Sequence, residues 1–240
     1  MSLLGGALER AGGFLLEPAP TTPEPPRPAV PEVGFPGPVS LAVMGLSPGC
    51  GARTLAAGLA LALGRRGEEP FLVSLGPARP ASGAVRACEV PAALTGADEV
   101  ACYGGTLLRL AAETSAASSV WSVPAREAPR AAAVVADVDA VVAVAGRAAE
   151  PALSGMVCSL LAERCRRVLL IANAARQPDD WNRWAAACMP ESRLGAAMLA
   201  RGRFPSGRFG RSLLEVAALA AGVAAGGLAP HHGLFTRGRA

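Results

Sequence analysis

SLAVMGLSPGCGARTLAAGLALALGRRG, residues Ser40 to Gly67, is the stretch on which the reading of this chain turns. An unbroken apolar run, Val39 to Met44, enters a turn with glycines at 45, 49 and 51. A helix of small aliphatic residues follows over Thr54–Arg66, and Gly67 is suited to terminate it. A strand uniformly apolar along its length is one covered on both faces, as in a parallel sheet. A glycine-rich turn between such a strand and a helix aims backbone N–H groups and the positive end of the helix at an anion.

Outward from that segment, strands and helices alternate. Pro70–Leu75 reads as a second strand. Residues 76–105 are less regular and hold Pro77, Pro80, Gly83, Pro91 and Gly96. The pattern then predicts a helix over Thr106–Ala117, a strand over Ser119–Val123 stopped by Pro124, a helix over Ala128–Asp137 and a strand over Ala140–Ala145. Beyond these it predicts a helix over Pro151–Cys165, with proline in its first turn, and a strand over Val168–Ala172. A Trp-containing helix over Asp179–Ala187 and a last helix over Ser212–Val223 complete it. Alternation of this kind specifies an α/β fold: three layers around a doubly wound, mainly parallel sheet.

Two segments precede this domain, which spans 38–226. Residues 17–37 belong to a run, 17–38, that carries nine prolines, which excludes both helix and central strand and makes an extended tether. Residues 1–16 hold Leu3, Leu4, Ala7, Leu8, Ala11, Phe14 and Leu15 at helical spacing, one apolar face interrupted by glycines. A marginal amphipathic segment orders when it docks. Leu4, Leu8 and Phe14 are therefore expected to contact a partner, or to fold back onto their own domain. Residues 227–240 read as a tail.

Composition removes several chemistries. The chain has 240 residues, and all 23 of its basic residues are arginine. Without lysine there is no Schiff base and no P-loop ammonium. Both histidines, His231 and His232, lie in the tail, so no Ser/His/Asp set is available. None of the six cysteines forms a C-x-x-C pair, so no zinc spacing exists and free thiols in a reducing cytoplasm are expected. A net charge of +4 is spread over scattered arginines. It suits a solvated surface, or peripheral contact with an anionic membrane, better than dedicated nucleic-acid binding. No signal peptide or membrane-length apolar stretch is legible.

The turn is similar to that of the MinD/ParA branch of P-loop ATPases, whose motif runs Lys-Gly-Gly-x-Gly-Lys-Thr-Thr. Ser47-Pro48-Gly49-Cys50-Gly51-Ala52-Arg53-Thr54 occupies its place. Gly49, Gly51 and Thr54 match, and Leu55–Gly67 resembles the helix that follows. Ser47 stands at the family's signature lysine, Ala52 at its P-loop lysine and Arg53 at its Mg²⁺-binding hydroxyl. Further on, Ser119–Pro124 resembles the strand ending in Asp-x-Pro, with Ser122 at the metal-holding aspartate. Glu150-Pro151-Ala152-Leu153 resembles the start of the next helix. Val168–Asn173 resembles the strand whose final asparagine contacts adenine. The similarity covers roughly 38–223.

The resemblance implies a P-loop NTPase-like fold that has lost the side chains for hydrolysis, like degenerate TadZ/CpaE-type pilus-localising proteins. It implies a positioning or scaffold protein that works through protein contacts or as a homo-oligomer such as a dimer. Nucleotide binding would be weak or absent, with Gly49, Gly51, Arg53, Thr54 and Asn173 as the residues to meet it and no catalytic residue or metal. Arg53 offers a bidentate donor in place of lysine.

Two other readings stand beside this one. Gly45-x-x-x-Gly49-x-Gly51 also satisfies the NAD(P)-binding turn of short-chain dehydrogenases, although Tyr103 has no lysine four residues on and Leu75-Gly76 offers no ribose-binding acid. A structural subunit of a larger assembly is the third.

The remaining candidates read as structural or as contacts. Asp137 and Asp139 are expected to close a helix and open a strand, and Asp179 and Asp180 to cap a helix. Trp181 and Trp184 share one face of that helix, as core or as an interface hot spot. Arg201–Arg211, rich in Arg, Phe and Gly, reads as a loop.

Overall fold

The structure is a computed structural model that describes residues 38–65, 70–75, 86–90, 117–128, 131–175, 178–226 and 233–236. The segments expected over 1–16 and 17–37, all but the last residue of the helix expected over Thr106–Ala117, and Tyr103, His231 and His232 lie outside these residues.

Eight strands among the described residues form one sheet: β1 (Ser40–Gly45), β2 (Phe71–Leu75), β3 (Arg86–Val90), β4 (Ser119–Val123), β5 (Ala140–Ala145), β6 (Arg167–Asn173), β7 (Ala187–Met189) and β8 (Leu234–Thr236). The order is β3-β2-β4-β1-β5-β6-β7, and β8 pairs with β6. Every pair is parallel except β6 with β8. The register sets Leu41 beside Val120 on one side and Ala140 on the other.

Period-two alternation splits the sheet into two cores. Leu41, Val43, Val120, Val142, Leu169 and Ile171 face one layer of helices. That layer holds α1 (Ala52–Gly64), α4 (Arg193–Leu199) and α5 (Gly207–Ala224). Ala42, Met44, Val73, Trp121, Val141 and Leu170 face the other layer, α2 (Ala132–Asp137) and α3 (Pro151–Ala162). Covered on both faces, β5 is buried at all six of its residues, which is why it reads AVVAVA without a polar interruption. The expected three-layer α/β fold with a mainly parallel sheet is therefore the observed one.

Placement of β4 between β1 and β2 decides between two of the sequence readings. A dinucleotide-binding sheet sets the second strand beside the first. Here β1 is flanked by β4 and β5, so the short-chain-dehydrogenase arrangement is not the one adopted.

Five segments differ from their sequence expectation, one of them α4, a helix over Arg193–Leu199 capped by Ser192 where none was expected. Asp179–Ala187 is not a helix: a short 3-10 turn, Pro178–Trp181, leads into β7. The Leu170 carbonyl accepts from Ala186 N–H at 2.8 Å, so the edge of the sheet captures the backbone that a helix would have used. The last helix starts at Gly207, inside the stretch that reads as a loop. Gly207 and Gly210 look like breakers, and tertiary packing overrides that propensity. Phe204 and Phe209 pack against the core, and the Arg65 guanidinium lies 4.8 Å from the Phe204 ring centroid. β3 forms within the stretch that looked irregular, and β8 within the tail, because each has a neighbouring strand to pair with. No helix among the described residues is long and apolar enough to cross a membrane.

Candidate functional site

Parallel strands deliver their following loops to one edge of the sheet, and ligands in such folds sit at that edge. The loop after β1 and the residues after β4 meet there, since β1 and β4 are neighbours. Together they line a cavity of about 450 Å³, bounded by Ser47, Pro48, Gly49, Cys50, Gly51, Ala52, Arg53, Thr54, Pro124, Ala125 and Arg126.

The loop is held in shape by its own chemistry. Gly49 and Gly51 have φ of 73° and 89°, left-handed values that a side chain strongly disfavours. Gly51 also has no room for a Cβ, because the Asn173 carboxamide occupies that space. Asn173 Nδ2 donates to the Cys50 carbonyl at 2.8 Å. Cys50 is buried and packs between the ends of β1 and β5, against Gly45 and Gly146. The expected base-contacting residue is thus engaged in tying the loop to the end of β6.

Gly51 is the N-cap of α1 and supplies no side-chain hydrogen bond, and the first turn carries no acidic residue. The backbone donors of that turn, which no carbonyl within the helix can satisfy, face the cavity end of the helix without a cap. Arg53 is exposed and forms no ion pair among the described residues. Arg126 has a side chain 63% exposed, held through Nε by Glu127 Oε1 at 3.2 Å. Glu127 itself is buried in the 3-10 turn Ala125–Glu127 and has further partners. The cavity wall therefore offers two guanidinium groups and no carboxylate.

Mg²⁺–ATP, implied by the resemblance, does not fit these residues. A magnesium ion needs oxygen ligands with negative charge nearby. Arg53 stands at the position of the family's metal-binding hydroxyl. Ser122, at the position of its aspartate, is buried with no hydrogen-bond partner for Oγ, and one neutral hydroxyl cannot balance a divalent ion. Ala52 is buried and apolar where the family has its phosphate-binding lysine. No cluster of three or more His, Cys, Asp or Glu suited to a metal exists among the described residues.

Of the residues singled out from the sequence, the fold brings Gly49, Gly51, Arg53 and Thr54 to the cavity wall and Asn173 against the loop from beneath. Trp181 is buried in the core, and Trp184 packs on Gly155 of α3. Asp139 accepts from Ser40 N–H at 2.9 Å, which fixes the starts of β1 and β5 together. Sequence reasoning missed Arg126. Its only linear signal is its place just after the strand that ends at Pro124, and it became relevant once β4 lay beside β1.

Three of the described cysteines are held as unreactive thiols. Burial pushes the Cys158 thiol up to about 12, and burial likewise raises Cys165 and Cys188, the latter with help from Asp179.

No protein-family profile matches the sequence, and no curated protein sequence matches it. Solved structures do. A ParA family ATPase from Chlorobium tepidum TLS superposes with a TM-score of 0.55 at 12% identity, over 75% of this chain and 98% of that one. The MinC:MinD cell division protein complex from Aquifex aeolicus gives 0.51 at 15% identity, over 80% of this chain and 97% of that one. The chain therefore has a MinD/ParA-like P-loop fold, and at such low identity it is the fold that the likeness shows.

Proposed function

We propose that this protein is a non-hydrolysing scaffold or positioning factor of MinD/ParA-like fold, acting through protein–protein contacts. The observation that carries the reading is a P-loop cavity without a carboxylate or an ammonium: Arg53 and Arg126 are its only charged lining residues, and Ala52 is buried beneath them. Phosphoryl transfer needs charge placed on both the metal and the leaving oxygens. A wall of this composition supplies one sign only.

The surface supports the contact half of the reading. Among the described residues four large apolar side chains are exposed, and three of them share α3: Leu153 at 58%, Met156 at 61% and Leu160 at 62%. Their spacing puts them on one helical stripe, the kind of exposed apolar patch that marks an interaction surface. The segment 1–16 adds a second apolar element through Leu4, Leu8 and Phe14. One of the similar structures is itself a complex, of MinD with MinC, which is consistent with protein partners for this fold.

Phosphate release from ATP by the purified full chain tests the catalytic half. The reading expects no turnover above a buffer blank; saturable turnover that disappears in Arg53→Ala would overturn it. For the contact half, a quantitative pull-down compares wild type with Met156→Asp and with Leu4→Asp/Leu8→Asp. A partner lost with at least one variant is expected. An identical set of proteins on all three would sink the assignment of these surfaces.

A further inference from the structure

We infer that the exposed stripe of α3 is the contact between two copies of this chain, with α3 lying antiparallel against α3 of a second copy about a two-fold axis beside Met156. This names the occupant of a surface that the scaffold reading leaves open, and it rests on that reading.

Three observations converge. First, apolar exposure is concentrated here. Leu153, Met156 and Leu160 are three of the four large apolar side chains exposed among the described residues, and no charged residue interrupts them within the helix. The longer helix α5 exposes none. Second, the stripe matches its own reverse. Its two ends are both leucine, and turning it end for end sets Leu153 of one copy against Leu160 of the other, with Met156 beside its own counterpart. Third, the charges choose the direction. Glu150 is exposed just before the stripe and Arg164 just after it, and Arg164 forms no ion pair among the described residues. At about 100° per residue, both fall on the same flank of the stripe. Like flanks face each other in an antiparallel pair, so Glu150 of each copy meets Arg164 of the other. A parallel pair would set each charge against its like.

The size of the stripe sets the strength of the contact. Three side chains of this exposure present on the order of 300 Å² of apolar surface per copy. Doubled across the axis, and with the charged flanks included, the interface comes to about 1,000 Å², the lower limit for a specific contact. Association is therefore expected at about 10 μM rather than at nanomolar concentration. None of the side chains involved lines the cavity at the glycine loop, so the dimer is expected to form without nucleotide.

Sedimentation velocity on the full chain, from about 1 to about 100 μM in EDTA without nucleotide, tests this. The wild type is expected to pass from monomer to dimer across that range. Met156→Asp is expected to stay monomeric throughout, and Arg164→Glu, which sets an acid opposite Glu150, to weaken association about tenfold. Leu194→Asp is the control: Leu194 is exposed too, but on α4 in the opposite helical layer, and its change is expected to leave association as it was. Oxidation of Met156→Cys is expected to give a disulfide-linked dimer above the wild-type background, because the axis passes beside that position. A wild type that is monomeric throughout, wild-type association in both Met156→Asp and Arg164→Glu, loss of the dimer in Leu194→Asp, association only when ATP is added, or no covalent dimer from Met156→Cys would each overturn the inference. Thermal melts of the variants establish that they are folded. A monomeric chain that still loses a captured protein with Met156→Asp removes the second copy and leaves the scaffold reading standing; ATP turnover removes that reading itself.

Discussion

Two helices start side by side at the same edge of the sheet, after the neighbouring strands β1 and β5, and they begin in opposite ways. At α3, Glu150 is the N-cap. Its carboxylate accepts from Ala152 N–H at 3.1 Å and Leu153 N–H at 2.6 Å, and Pro151 fills the first helical position. That end is satisfied from within, in charge and in hydrogen bonds. At α1, a left-handed glycine stands at the cap and the nearby charges are arginines. Capping chemistry was available to this chain and was used one strand away. The open end of α1 is thus a local feature of the loop, and it is the end that borders the cavity.

The contrast can be broken hardest at Gly51. Gly51→Ala forces a side chain into a left-handed backbone and into the Asn173 carboxamide. A loss of about 2 kcal/mol in urea unfolding is expected. A cost near zero would mean that the loop is not pinned by Asn173.

The undersides of the two helices differ as well. α1 buries Leu55, Ala56, Leu59 and Leu63, whereas α3 buries the Cys158 thiol. Burial holds that thiol at about 12, against an ordinary 9.0. The folded state keeps its proton while the unfolded chain loses it, so this contribution is complete below pH 9 and declines as pH rises towards 12. Relative to Cys158→Ala, the wild type should lose about 1.4 kcal/mol between pH 8 and pH 10. Parallel stability curves for the two proteins would remove Cys158 from the account.

Smaller effects follow at the caps themselves. Glu150→Ala strips two hydrogen bonds from the start of α3, and about 1 kcal/mol of stability should go with them. Arg53→Glu does the converse at α1. A carboxylate placed in the first turn should stabilise the fold by about 0.5 kcal/mol. A destabilised Arg53→Glu would show that the donors at the start of α1 are already satisfied.

Much of this architecture is legible in the linear chain. Val39–Met44 and Ala140–Ala145 are apolar without alternation because both faces of their strands are covered, and such runs identify themselves. Pro151 after Glu150 marks the start of α3 for a local reason, since a proline in the first turn gives up a donor that was unpaired anyway. The absence of lysine from the whole chain limits the chemistry of the P-loop before any coordinates exist. Local patterning failed where the deciding partner was remote. Ala187–Met189 became strand because β6 offered an edge, and Gly207–Arg211 became helix because Phe209 found a core to enter.

The sequence by itself determined the layered α/β class, the glycine turn and the loss of the lysine that would grip a phosphate, because each is a property of neighbouring residues or of composition. Only the tertiary structure decided that β4 lies beside β1, that Arg126 joins Arg53 on one wall, and that Asn173 is engaged with the loop. Those pairings join residues far apart in the chain, and strand order, which no local propensity encodes, is what brings them within reach of one another.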